Sequence, residues 1–137
     1  MKPNSLDDWL DYIDLNRPKE DELGLNRLRP ITDIIFQSKI AEKIVVIGGT
    51  NGKGTTAEVL NNLLQESNFK VGLYTSPHLF NFNERIRING FPVSNSEILS
   101  AFEGIETIKK NSRLTYFDYA TLAAFIIFAK NNLDVAI

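Results

Sequence analysis

Apolar residues at the start of the chain recur at the spacing of a helix. The first helix is predicted to begin at Ser5, because Ser5 and Asp8 have the spacing of a capping box. Its apolar face consists of Leu6, Trp9, Leu10 and Ile13. The polar residues 16–22 predict a loop. A second helix follows, with Pro30 marking a kink or a restart, and its apolar positions are Leu25, Leu28, Ile31 and Ile35.

From Lys43 onward the pattern changes to alternating strands and helices. Residues 44–47 are continuously apolar and β-branched, which predicts a fully buried parallel strand. Residues 70–74 predict a second strand. The helix between them is predicted to carry on its inner face the residues Val59, Leu60, Leu63 and Leu64. Strand, helix and strand together form a βαβ unit.

The remainder predicts a hairpin, two helices and another strand. The alternation in residues 85–88 leads into Asn89-Gly90, a strong hairpin signal. Helices are predicted to begin near Ser94 and near Thr115, and the second is so apolar that it must be nearly buried. We therefore expect an α/β fold, a three-layer P-loop-type domain with a parallel central sheet.

The length of 137 residues is that of one domain. We expect residues 1–40 to form a helical lead-in and residues 43–137 to form part of the sheet core. A strand begins at Leu133, and the sequence stops within it. Because a domain rarely ends inside a core strand, we expect a domain truncated after its third core strand, in the N-terminal part of a longer protein.

The net charge and the cysteine content limit the kinds of partner and metal site that we expect. A net charge of −2 gives no general affinity for nucleic acid or an anionic membrane, so we expect neither as a partner. The sequence has no cysteine, which excludes disulfides and thiolate metal sites and fits a cytoplasmic protein.

The strongest functional signal is the segment V-V-I-G-G-T-N-G-K-G-T-T, residues 45–56. Glycines let the backbone curl so that several N–H groups point at one anion, and the start of the following helix adds partial positive charge. Lys53 supplies a full positive charge. Thr55 can offer its hydroxyl to a phosphate-bound Mg²⁺, and Thr55 or Thr56 is predicted to cap the helix.

This loop departs from the standard pattern G-x-x-x-x-G-K-[ST], because Ile47 and Gly54 stand where the pattern needs glycine and a hydroxyl residue. The variant G-T-N-G-K-G-T-T resembles the ATP loop of the Mur ligase superfamily, most closely its folate branch, the dihydrofolate and folylpolyglutamate synthases. The resemblance implies Lys53 as the catalytic residue and an ATP site formed by Thr50, Asn51, Gly52, Lys53, Gly54 and Thr55.

A second motif, Thr75-Ser76-Pro77-His78-Leu79, follows the second strand. Ligands bind outside the carboxyl ends of parallel strands, so this segment is predicted to face the same crevice as the phosphate loop. By position alone it could equally be an ordinary turn. The folate synthases carry a similar S-P-H-L followed by E-R-I-R-I, here residues 84–88. That resemblance implies that Ser76 is a Mg²⁺ ligand and that the loop around it helps to hold a pterin.

Two further segments, E-L-G-L at residues 22–25 and T-Y-F-D at residues 115–118, resemble the pteroate-contacting stretches of the bifunctional synthases. Without the resemblance, the first segment predicts only a loop that leads into a helix, and the second predicts only a capped helix start. The resemblance implies a pterin site formed by Glu22, Leu23, Gly24, Leu25, Thr115, Tyr116, Phe117 and Asp118. Aromatic rings can stack on a flat pterin, and Asp118 can accept hydrogen bonds from its N–H groups.

The resemblance implies an ATP- and Mg²⁺-dependent amide ligase, a cytoplasmic monomer at full length. It would add L-glutamate to dihydropteroate, to reduced folates, or to both, through an acyl phosphate. The C-terminal glutamate-binding domain of the family is not in this sequence, so we expect the chain alone to be inactive. The alternatives are a cell-wall Mur ligase, another P-loop nucleotide-binding enzyme, and a non-catalytic nucleotide-binding fragment.

Overall fold

A computed structural model describes residues 3–19 and 24–137. In chain order its helices are α1 (Leu6–Leu15), α2 (Arg29–Ile35), α3 (Lys53–Glu66), α4 (Asn95–Ile108) and α5 (Tyr116–Ala129). Its strands are β1 (Ala41–Ile44), β2 (Val71–Tyr74), β3 (Ile86–Ile88), β4 (Phe91–Pro92) and β5 (Leu133–Ala136). Short 3₁₀ turns cover Leu25–Arg27 and Phe82–Arg85. Within these described ranges, no helix has both the length and the apolar character to cross a bilayer.

The chain divides into two compact units. The helical unit comprises Met1–Ser38 and Asn95–Ile127, and the sheet unit comprises Lys39–Ser94 and Phe128–Ile137. All five strands and α3 belong to the sheet unit. The division differs from the predicted boundary near residue 40, because α4 and most of α5 join the N-terminal helices rather than the sheet.

The predicted N-terminal helices are confirmed. The Ser5 hydroxyl accepts a hydrogen bond from the Asp8 N–H at 3.1 Å, and the Asp8 carboxylate accepts one from the Ser5 N–H at 3.1 Å, which closes the capping box. Pro30 lies in the first turn of α2, where its missing N–H costs no intrahelical bond. Pro30 therefore marks a restart rather than a kink.

Aromatic side chains form the centre of the helical unit. The Trp9 and Phe102 ring centroids lie 5.7 Å apart, and those of Phe102 and Tyr119 lie 5.6 Å apart in an edge-to-face arrangement. The prediction that α5 is nearly buried is confirmed within this unit by Tyr119, Ala120, Leu122, Ala123, Ala124 and Ile127.

The strands form one five-stranded sheet in the order β1-β5-β2-β3-β4. Strands β1, β5 and β2 are parallel, as predicted. The predicted hairpin is confirmed as β3 and β4, joined at Asn89 and Gly90, which have φ values of 48° and 81°. Because the hairpin pairs with β2 in the antiparallel sense, the sheet is mixed.

The prediction of a fully buried strand at residues 44–47 is wrong in position and in burial. Strand β1 spans Ala41–Ile44, and Ile44 and Val46 are 60% and 88% exposed. The ladder reaches only one residue further, where the Val45 N–H donates to the Ala136 carbonyl at 2.8 Å. Strand β1 is an edge strand that pairs only with β5 among the described strands. An apolar run identifies a core strand only if both of its faces are covered.

For α3, the predicted cap is wrong and the predicted inner face is wrong in part. The helix begins at Lys53 with Gly52 as its N-cap, so neither Thr55 nor Thr56 caps it. Ala57 and Asn61 are buried and the predicted Leu60 and Leu64 are half-buried, whereas the predicted Val59 and Leu63 are 54% and 57% exposed. Residues three and four positions apart share a helix face, so Leu60 and Leu64 lie on the inner face with Ala57 and Asn61, and Val59 and Leu63 lie outside it.

Candidate functional site

The phosphate-loop residues form an exposed turn between β1 and α3 in the sheet unit. Gly52 has φ 74° and ψ 1°, a left-handed conformation that glycine adopts without steric cost. The turn places Lys53, Gly54 and Thr55 at the first positions of α3, whose N–H groups have no partner within a helix. The Thr56 N–H closes the first helical bond with the Gly52 carbonyl at 2.9 Å. These free N–H groups and the helix dipole favour an anion at this end of α3.

The Lys53 side chain folds back over its own loop. Its Nζ donates to the Gly49 carbonyl at 2.6 Å and to the Thr50 carbonyl at 3.3 Å. No carboxylate within residues 3–19 and 24–137 forms an ion pair with this ammonium group. The positive charge of Lys53 is therefore held beside the helix start and is not neutralised by the described chain.

Ser76 and Thr55 are both exposed and both lie beyond the carboxyl ends of parallel strands in the sheet unit. Thr55 lies in the first turn of α3, after the loop that follows β1, and Ser76 follows β2 by two residues. The described residues contain no group of three or more histidines, cysteines or carboxylates that could hold a metal. The hydroxyl oxygens of Thr55 and Ser76 are donors of the kind that a hard cation such as Mg²⁺ accepts.

The segment after Ser76 is held by a carboxylate that the sequence analysis did not single out. Glu84 accepts hydrogen bonds from the N–H groups of Leu79 at 2.8 Å, Phe80 at 3.0 Å and Asn81 at 2.7 Å. Bonds from the Leu79 and Asn81 N–H groups lower the pKa of Glu84 most, and the Phe80 N–H and nearby His78 lower it further. The spacing of Asn81 and Glu84 is that of a capping box, a signal that was present in the sequence.

His78 is fixed in the same loop. Its Nδ1 accepts a hydrogen bond from the Nε of Arg85 at 2.7 Å, and its ring centroid lies 6.3 Å from that of Phe82. The loop therefore has ordered contacts on its inner side. Leu79 and Phe80 are 84% and 86% exposed on its outer side.

Protonating Glu84 is expected to loosen this loop. The lowered pKa means that the stabilisation is fully present above the ordinary value of 4.5 and is lost as the pH falls through the lowered pKa of the folded protein. Glu84→Gln should reproduce the loosened loop at neutral pH. The Leu79, Phe80 and Asn81 amide resonances should report both effects. Glu66→Gln, an equal change of charge on exposed α3, should leave these amides unchanged, and an equal response to both variants would contradict the role of Glu84.

The predicted pterin-binding segments lie in the helical unit, although Glu22 and Leu23 are outside the described residues. Gly24 has φ 145°, and Leu25 begins a 3₁₀ turn with its side chain 80% exposed. At the other segment, Thr115 and Asp118 form the predicted capping box. The Thr115 N–H donates to Asp118 at 2.7 Å, and the Asp118 N–H donates to the Thr115 hydroxyl at 3.1 Å.

The aromatic pair of the second segment is only partly buried. Phe117 is 56% exposed and Tyr116 is half-buried, whereas Asp118 is 6% exposed. The exposed Phe117 thus precedes a buried carboxylate directly in the sequence.

Arg27 connects these two segments, although no sequence motif indicated it. Its guanidinium donates to the Gly24 carbonyl and, through Nη2, to Asp118 Oδ2 at 2.6 Å. No local pattern could have revealed this contact, because Arg27 and Asp118 are 91 positions apart in the sequence.

Comparisons with known proteins show what the chain is similar to. The chain is 42% identical over 142 residues to the dihydrofolate synthase/folylpolyglutamate synthase of Buchnera aphidicola subsp. Acyrthosiphon pisum (strain APS), a match that covers 99% of this chain and 33% of that protein. Along nearly its whole length, the chain is similar to dihydrofolate synthase/folylpolyglutamate synthases. The predicted resemblance is therefore confirmed. No family model matches the chain.

Solved structures of this family share the fold. The chain superposes on E. coli FolC in complex with DHPP and ADP with a TM-score of 0.92 and 37% identity, covering 98% of this chain and 32% of that one. It superposes on the bifunctional synthase of Yersinia pestis, complexed with AMPPNP and Mn, with a TM-score of 0.93 and 39% identity over 98% of this chain and 33% of that one. The α/β fold class with a central sheet is confirmed. The chain spans about a third of the length of the curated relatives it matches.

Proposed function

We propose that this chain forms about a third of an ATP-dependent ligase that joins L-glutamate to dihydropteroate, to reduced folates, or to both. The observation that carries the proposal is the phosphate loop. It combines a left-handed Gly52, a start of α3 that has no side-chain cap, and a Lys53 ammonium without a carboxylate partner among the described residues. Similarity to the folate synthases supports a nucleotide as the anion bound here, since the E. coli relative was solved with ADP.

In the proposed reaction the acceptor carboxylate attacks the γ-phosphorus of ATP, which forms an acyl phosphate and releases ADP. The amine of glutamate then attacks the acyl carbon, so that an amide forms and inorganic phosphate leaves. The N–H groups at the start of α3 and the charge of Lys53 would stabilise the negative charge that develops on the transferred phosphoryl group. The contribution of the protein to this step is mostly positioning.

The hydroxyls of Thr55 and Ser76 fit a Mg²⁺ ion bound together with the phosphates. Both residues are exposed. Among the described residues, no group of three or more histidines, cysteines or carboxylates forms a separate metal site. Mg²⁺ usually keeps several waters and takes few protein ligands beside substrate phosphates. When bound, the ion would neutralise phosphate charge. The structure with AMPPNP and Mn is a relative's, and we carry divalent-metal use to this chain on that basis.

The segments at residues 24–25 and 115–118 are proposed to bind the pterin. The exposed ring of Phe117 can stack on a flat heteroaromatic ring, and the buried carboxylate of Asp118 can accept hydrogen bonds from ring N–H groups. We also propose a cytoplasmic monomer without nucleic-acid or membrane partners. The small net charge of −2 supports that part of the proposal.

The deciding test is phosphate release by the full-length enzyme, meaning this chain within a polypeptide of its relatives' length. Release should require ATP, Mg²⁺, glutamate and a pterin acceptor together. Dihydropteroate and a reduced folate, supplied separately, distinguish the two acceptor activities. Release without a pterin would favour a different nucleotide-dependent enzyme, and release driven by a cell-wall precursor would favour a Mur ligase.

Asp118→Asn is expected to raise the KM for dihydropteroate about tenfold and to leave the KM for ATP nearly unchanged. The variant keeps the shape of the side chain but removes the charge, and hydrogen bonds to a charged group contribute about 1.5–3 kcal/mol. Asparagine is preferable to alanine because alanine would also remove the acceptors of the Thr115 N–H in the capping box and of the Arg27 guanidinium.

The matched control is Asp33→Asn, an exposed aspartate on α2 in the same unit. Initial-rate kinetics with each substrate varied in turn measure both constants. A parallel rise in both KM values for Asp118→Asn would show that the segment is only structural.

A further inference from the structure

We infer that Arg27 is a positioning residue for pterin recognition, holding the turn at Gly24 and the carboxylate of Asp118 in one fixed arrangement. The inference rests on the proposed function, because it concerns the acceptor half of that site. It adds a residue that neither the sequence motifs nor the resemblance assigned.

The geometry is that of a bridge between two distant segments. Arg27 lies in the 3₁₀ turn of Leu25–Arg27, and its side chain is 17% exposed. Its guanidinium donates to the backbone carbonyl of Gly24 and to Asp118 Oδ2. One planar group with several fixed donors can make both bonds at once, which a lysine ammonium on a flexible stem does poorly.

The two oxygens of Asp118 have different environments. Oδ2 accepts from Arg27 at 2.6 Å and from the Thr115 N–H at 2.7 Å, whereas Oδ1 accepts no hydrogen bond from the described residues. Arg27 thus keeps the buried carboxylate oriented and leaves one oxygen able to accept a bond from a ligand. Exposed Leu25 and Phe117 adjoin the bridged residues in sequence and can supply apolar contact to a flat ring.

Stability alone is a weak reason for this arrangement. Burying an ion pair carries a desolvation cost that its attraction often fails to repay. Here the cost is larger, because Nε of Arg27 is buried and has no hydrogen-bond partner among residues 3–19 and 24–137. A well-packed apolar pair would serve the fold as well. The bridge is instead suited to presenting a charged acceptor in a defined direction.

The test compares Arg27 variants in the full-length enzyme, with kcat, the KM for dihydropteroate, the KM for ATP and the thermal midpoint measured for each. We expect Arg27→Ala to raise the KM for dihydropteroate about tenfold or more, with the KM for ATP changed less than about twofold. Arg27→Lys should recover part of the loss, since it keeps the charge but not both bonds. Arg27→Ala combined with Asp118→Asn should cost no more than the larger single effect, because the two residues act as one unit.

Two controls separate positioning from general destabilisation. Arg17→Ala removes the same residue type from an exposed ion pair with Asp14 in the helical unit. Glu106→Gln disturbs a partly buried polar cluster of the same unit, in which Glu106 accepts from the Tyr12 and Tyr119 hydroxyls. Neither control should shift the balance between the two KM values, even if Glu106→Gln lowers the thermal midpoint.

The outcomes are distinguishable. If the unaltered enzyme releases no phosphate in response to a pterin, the proposed function fails, and the role of Arg27 fails with it. If the unaltered enzyme is active but Arg27→Ala behaves like Glu106→Gln, only the positioning role is overturned. A selective rise in the KM for dihydropteroate in Arg27→Ala, partly reversed in Arg27→Lys, supports the positioning role.

Discussion

Lys53→Ala in the full-length enzyme is expected to reduce ATP-dependent turnover by at least ~10²-fold, the scale found when one preorganised transition-state contact is removed. Lys53 provides the only full positive charge in the turn between β1 and α3, and no described carboxylate neutralises it. The N–H groups of α3 remain in the variant, but they carry only the partial charge of the helix start. The loss should therefore appear mainly in kcat.

The Lys53 side chain also tethers its loop through the carbonyls of Gly49 and Thr50. Lys53→Arg separates the two roles, because it keeps the charge while it alters the fit to the loop. Lys43→Ala is the matched control, an exposed lysine on β1 of the same unit. Near-normal turnover by Lys53→Ala would refute the assignment of the phosphate loop, whatever the fate of the loop's conformation.

Local signals predicted most of the fold. Helix α1 and the start of α5 carry capping boxes, and the Asn89-Gly90 hairpin depends on turn residues that act within a few positions. Strands β2 and β5 are central, so their apolar runs match buried positions. The prediction for β1 failed for the converse reason. Its apolar run at Val45 and Val46 continues past the ladder, and β1 lies at the edge of the sheet formed by the described strands. Edge or centre is a property of the assembled sheet.

The candidate site also contains parts that local sequence signals predict and parts that they do not. The phosphate loop could be identified from the sequence because glycines, a lysine and hydroxyls act within one turn. The resemblance to the folate synthases pointed to residues 22–25 and 115–118 as separate stretches. The contact of Arg27 with Asp118 joins them through tertiary structure, so only the structure could reveal it. Glu84 is intermediate, because its capping-box spacing was readable but its bonds to Leu79 and Phe80 were not.

Gly72→Ala is expected to destabilise the sheet unit by about 1–3 kcal/mol, the usual cost of overpacking a core. A Cβ at Gly72 would lie 2.4 Å from Cδ1 of Leu133 and 2.8 Å from Cε1 of Phe128. Both neighbours are 2% exposed, so neither can swing into solvent. The backbone is also fixed, because Gly72 pairs with Ala136 on one side and with Ile88 on the other.

The destabilisation should depend on Leu133, and chemical denaturation of the full-length enzyme measures it. Leu133→Ala removes the clashing methyl group and by itself costs about 2–5 kcal/mol. Combined with Gly72→Ala, it should cost less than the sum of the single variants, because the new Cβ occupies part of the space that Leu133 vacates. Gly104→Ala is the matched control, and its expected effect on stability has the opposite sign. Its Cβ would meet nothing closer than 3.9 Å, and alanine stabilises a helix interior by roughly 0.5–1 kcal/mol relative to glycine. Additive costs for Gly72 and Leu133 would show that the two positions do not share this space.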